Sequence, residues 1–98
     1  MLFRSQAGAA LVVIEMVPAV LAADLTTRLT SMATIGIGAG ADCHGQVLVL
    51  HDLIGVFHGK RPRFAKNFME GASSLDEAVT RYVTDVQAGR FPGPEHSY

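Results

Sequence analysis

Tryptophan is absent, cysteine occurs once, and charged side chains make up only 17% of the 98 residues, where about 25% is usual. Each shortage excludes something. A lone Cys43 can form no internal disulfide, which suits a reducing, cytoplasmic setting. A net charge of −1 leaves no basic excess, so a nucleic-acid footprint is not expected. No apolar run approaches the roughly 20 residues that cross a bilayer. Glu15 and Pro18 interrupt the longest one, which also argues against a secretory leader, although Arg4 precedes the run and "LAAD" follows it. The sequence has no G-x-S-x-G, no paired C-x-x-C, no P-loop and no H-E-x-x-H.

What is abundant is apolar surface, at 49%. That is too much for disorder, and the polar remainder is thin cover for a free-standing domain of this size. One small domain at most is expected, or the interior of something larger. A single basic cluster, Lys60, Arg61, Arg63 and Lys66, reads as a solvated loop or helix end, with an anionic ligand or partner subunit as the alternative.

The apolar residues fall into short units. "LFRSQAGA" reads as a helix tail ending near Gly8. Ala9 to Met16 is a Val/Ile-rich run without alternation, the pattern of a strand covered on both faces. Pro18 suits the first turn of a helix, and Leu21, Leu25, Leu29 and Met32 then recur at helical spacing, so a helix is expected from about Pro18 to Leu29. Ala33 to Gly40 is a second strand entering a glycine-rich loop, and Gln46 to Leu50 a third strand. No hairpin signal separates the strands, so parallel βα units are expected. Phe64 to Met69 reads as partly helical. The clearest helix follows Ser74, with Ser74 and Glu77 as an S-x-x-E capping box, Leu75, Val79, Tyr82, Val83 and Val86 on one apolar face, and Gly89 closing it. Residues 90–98, with two prolines and a glycine, should form an extended tail.

Glu15 is the residue that needs an explanation. An isolated carboxylate buried in mid-strand costs several kcal/mol or protonates. At the C-terminal end of a parallel strand it can instead face a cleft. Partial burial there raises a carboxylate's pKa and makes a better general base. A structural acid, capping a helix or pairing with a cation, is the alternative. The glycines of "GIGAG", Gly36, Gly38 and Gly40, allow close approach of backbone to backbone or to a ligand. As a dinucleotide fingerprint the segment fails, because no helical pattern follows. Asp42, Cys43, His44, His51 and Asp52 are metal-ligand types, but neighbours in sequence rarely converge, and no metal site is assigned to them. His51 and Asp52 read as a hydrogen-bonded pair at the sheet rim.

Four segments together carry a resemblance: "LVVIEMVP", "TIGIGAGADCHGQVLVLHDLIG", "KRPRFAKNF" and "RFPGPEHSY". In order and spacing the chain resembles the C-terminal part of ketopantoate hydroxymethyltransferase. The resemblance implies a partial TIM (β/α)8 barrel, about the last three parallel strands with their helices, so that residues 1–98 would be a C-terminal fragment of one barrel domain. It implies hydroxymethyl transfer from methylene-tetrahydrofolate to 3-methyl-2-oxobutanoate, giving 2-dehydropantoate in the pantothenate and coenzyme A route. It makes Glu15 the catalytic base and implies Mg2+ with its ligands in a missing N-terminal part; Gly36, Gly38 and Gly40 are read beside it as the candidate substrate-binding residues. It further implies a homo-oligomer and an inactive isolated fragment. Ala33 stands where the family often has Pro, and His44 where it often has Asp. The competing class is a non-enzymatic α/β scaffold or regulatory module.

Overall fold

The computed structural model describes residues 8–56 and 59–98. The helix tail read in residues 2–7 lies outside the described residues. The first strand, β1 (Leu11–Glu15), is followed by helix α1 (Ala19–Arg28) and strand β2 (Ala33–Ile37). A short β3 (Gly45–Gln46) leads into a single helical turn, α2 (Leu50–Leu53), then a long irregular connection, helix α3 (Leu75–Gln87) and one turn of 3-10 helix (Pro94–His96). The strands form one sheet in the order β1-β2-β3, both pairings parallel. The parallel βα reading therefore holds.

Alternation along the strands sorts the sheet into two faces. Val12 and Ile14 pack with Ala22 of α1, so their side of β1 faces that helix. Their partners on β2 are Thr34 and Gly36, and Thr34 shares a hydrogen bond with Thr26 of α1 at 2.8 Å. Leu48, two residues beyond Gln46 on that same side, is buried in a cluster with Leu53, Phe64, Phe68, Ala78 of α3 and Phe91. Leu11, Val13 and Glu15 occupy the opposite face, beside Ala33, Ile35 and Ile37. There Leu11 and Val13 are 59% and 55% exposed. At the strand ends the cover changes: Ile37 is buried in the cluster that contains Phe64.

The strand read over Gln46 to Leu50 is shorter as a ladder. Val47 donates its N–H to Gly36 at 3.0 Å, after which the chain stays extended through Val49 and coils at Leu50. Phe64 to Met69 is a series of turns, not a helix. The helical faces are also displaced. In α1 the side chain against the sheet is Ala22, fully buried, while Leu21 is exposed. In α3 the fully buried side chain is Ala78, in the cluster with Leu53, Phe64, Phe68 and Phe91, with Tyr82 and Val86 packed against that cluster, whereas Leu75, Val79 and Val83 are exposed. Small residues at these positions let a helix approach its neighbours closely, and a reading keyed to large apolar side chains passes over alanine.

Ser74 caps α3 as expected, its hydroxyl accepting from the Glu77 N–H at 3.1 Å. The return bond shifts by one residue. The Glu77 carboxylate accepts from the N–H and hydroxyl of Ser73, at 3.2 and 2.6 Å, and from Arg81 at 2.8 Å. Ser73, with help from Arg81, holds that carboxyl below its ordinary range. In the tail, Phe91, Pro92 and Gly93 are buried. The Tyr98 carbonyl accepts from the Ala19 N–H at 3.3 Å, which brings the tail back to the start of α1.

Candidate functional site

Glu15 is the last residue of β1, paired with Ile37, which immediately precedes Gly38. The carboxylate and the glycine loop therefore share the C-terminal rim of the sheet, the end at which parallel α/β folds place their chemistry. The side chain belongs to the face turned away from α1 and is exposed. The burial foreseen from its apolar neighbours in sequence does not occur in this chain, because those neighbours on its own face, Leu11 and Val13, are themselves exposed. Among the described residues its carboxylate has no hydrogen-bond or ion-pair partner, so neither cap nor salt bridge occupies it.

The chain leaves the strand abruptly after it. Met16 adopts φ 51°, the left-handed region, while its N–H still donates to the Ile37 carbonyl at 2.9 Å. The region costs a non-glycine residue about 1–2 kcal/mol, and such strain gathers at sites where the backbone must be aimed. Here it turns the chain out of the sheet directly behind Glu15 and delivers Pro18 to the head of α1.

The three glycines have separate tasks. A Cβ on Gly36 would stand 3.0 Å from Cys43 Sγ and 3.4 Å from Gln46 Oε1, on the α1 side of the sheet. Gly38, at φ +68°, lies against the Phe64 ring, where a Cβ would come within 3.0 Å. Gly40, at φ +80°, presses on Ala19, where a Cβ would come within 2.6 Å of that residue's Cβ. In each case protein atoms fill the space a side chain would take. Gly38 and Gly40 lie in the loop at the rim with Glu15; Gly36 sits on the other face.

His44 is drawn toward the opposite end of β2. Its Nδ1 accepts from the Thr34 N–H at 2.9 Å, and its own N–H donates to the Thr34 hydroxyl at 3.1 Å. The position calls for a side-chain acceptor, which imidazole supplies. His51 and Asp52 lie within α2. Among the described residues no three His, Cys, Asp or Glu side chains are grouped so as to hold a metal ion. The basic cluster is largely engaged within the chain. Arg61 pairs with Glu70 at 3.8 Å and Lys66 with Asp85 at 3.7 Å. Arg63 donates to the Ser97 carbonyl and stacks 4.7 Å from the Tyr98 ring centroid.

Sequence reasoning passed over Gln46, which donates to the Gly40 carbonyl at 2.9 Å. The signal was available: a lone amide opening the otherwise apolar "QVLVL".

The comparisons with known proteins agree with one another. The family model for ketopantoate hydroxymethyltransferase matches residues 2–94. A 3-methyl-2-oxobutanoate hydroxymethyltransferase from Azoarcus sp. (strain BH72) is 69% identical over 93 residues, 95% of this chain and 34% of its own. That of Aromatoleum aromaticum is 64% identical over the same shares of the two chains, and that of Ralstonia nicotianae is 59% identical over 92 residues. The chain thus spans about a third of the length of the curated relatives it matches.

Proposed function

Because this chain belongs to the ketopantoate hydroxymethyltransferase family, we propose that the whole protein transfers a hydroxymethyl group to 3-methyl-2-oxobutanoate, with Glu15 as its base. The observation that carries the assignment is the position of Glu15: a carboxylate with no partner among the described residues, at the rim of a parallel sheet, on the face turned away from α1. A proton beside a keto group is only weakly acidic. A carboxylate held at a strand end can take it and leave a nucleophilic carbon to attack the one-carbon unit, whose two bonds to folate nitrogens break as water supplies the hydroxyl oxygen and tetrahydrofolate leaves. Methylene-tetrahydrofolate is the donor that the family resemblance brings to this reading.

The same asymmetry supports a barrel. Helix α1 packs on one side of the parallel strands, and the other side of β1 presents Leu11 and Val13. In a (β/α)8 barrel the helices form the outer ring and such side chains fill the interior. We place this unit as about the last three strands of that barrel. The described residues do not fit a magnesium site, since no three suitable side chains converge, and no step of the reading runs through a metal. The chain alone is accordingly proposed to be inactive.

The test uses a graft in which this chain replaces the corresponding third of the Azoarcus sp. relative. Glu15→Gln keeps the shape and removes the base. Loss of general-base catalysis costs about 10²–10⁴-fold, so kcat should fall at least a hundredfold. A Gln variant that retains the parental kcat would refute the role.

A further inference from the structure

We propose that Gln46 is a positioning residue for the strand-end site, acting through the carbonyl of Gly40. Its functional meaning rests on the reading of Glu15 given above. The Gln46 amide donates to that carbonyl at 2.9 Å from β3. The side chain reaches the loop by crossing Gly36, where a Cβ would stand 3.4 Å from Gln46 Oε1. Gly36 thus leaves the path that the amide uses. Gly40 in turn presses on Ala19, the first residue of α1.

These contacts close a ring. From Glu15 the chain turns at Met16 and enters α1 at Ala19. Ala19 abuts Gly40, Gly40 is tied to Gln46, and Gln46 is paired through β2 back to β1. A trans peptide points its C=O and N–H in opposite directions. Tying down the Gly40 carbonyl therefore also fixes the direction of the Ala41 N–H. Both residues line a cleft of about 560 Å³ shared with Ala19, Arg63 and Tyr98. Gly40 is buried, so a carbonyl deprived of its donor there would be costly to leave unpaired. Without the amide the loop would re-aim its peptides, and the wall behind the turn that carries Glu15 would loosen.

Gln46→Met and Gln46→Glu in the graft test this. Gln46→Met keeps the length and removes the donor. It should lower kcat about tenfold, the scale of a sub-ångström misplacement, while KM for the keto acid stays within about twofold. Gln46→Glu keeps the shape. As a carboxylate it cannot donate to Gly40, but as a carboxylic acid it can. Its kcat, relative to the parent's, should therefore rise as pH falls from about 7 to about 5, toward the usual carboxyl range near 4.3, while the Gln46→Met ratio stays flat. Far-ultraviolet circular dichroism checks that each variant is folded. Parental kcat in both variants would overturn the proposal, as would a Gln46→Glu ratio that does not move with pH. Glu15→Gln is measured in parallel. If it alone keeps parental kcat, the base assignment fails, and the Gln46 results still decide whether the loop is braced.

Discussion

A glycine's freedom in this chain is set by the atoms that would stand 2.6 to 3.4 Å from an added Cβ. Gly40 combines a left-handed φ of +80° with a Cβ position 2.6 Å from Ala19 Cβ. Gly36 has an ordinary φ, and its closest neighbour is the Cys43 thiol, which can shift. Gly40→Ala should therefore cost about 2 kcal/mol or more and Gly36→Ala about 1 kcal/mol. Urea denaturation of the two variants gives the order; equal midpoints would contradict it. The same closeness limits what a sequence can tell. That glycines gather after β2 was plain. Which atoms each one admits was not, because Phe64 and Ala19 arrive from 26 and 21 positions away in the chain.

Helix α3 and the tail carry the acid response. The Glu77 carboxyl is held low by Ser73 and Arg81. A group whose folded pKa is depressed stabilises above its unfolded pKa, and that contribution is lost as pH falls through the folded value. The cap should thus weaken below an ordinary value of 4.5. His96 is held below 6.5 mainly by burial, aided by Lys66 and Arg61 and opposed by Glu95. Its Nδ1 accepts from the Gly93 N–H at 3.0 Å, a bond that protonation at that nitrogen removes. Its contribution has the same sign and is lost in a higher window, starting below 6.5. Denaturation midpoints should fall in two steps on acidification. His96→Gln should remove the upper step and Ser73→Ala should diminish the lower. A single step unaffected by either variant would contradict this. Ser74→Ala should cost about 1 kcal/mol at neutral pH.

Strand and helix order was readable at this scale because apolar runs, Pro18 and the Ser74 cap are local signals. The length of β3 was not, since a ladder is fixed by its neighbour: only Gly45 and Gln46 pair with β2 as strand residues. Nor was the face of α3, which is set by the aromatic cluster of Phe68, Tyr82 and Phe91 around Ala78.

The molecule as a whole is one-sided. Among the described residues both β1 and β3 are edge strands, and Leu11 and Val13 on one face of β1 are exposed. Unpaired edges beside exposed apolar side chains favour association. Sedimentation of the 98-residue chain should show concentration-dependent self-association, reduced by Val13→Lys; a monomer at all concentrations would contradict this. That face also bears Glu15, and its use as a base is what the functional account depends on. The most direct measurement is exchange of the proton beside the keto group of 3-methyl-2-oxobutanoate into deuterated water, with no folate present, catalysed by the graft and by its Glu15→Gln variant. The graft should catalyse exchange and the variant should be slower by about a hundredfold or more. Equal exchange by the two would show that the proton leaves to some other group.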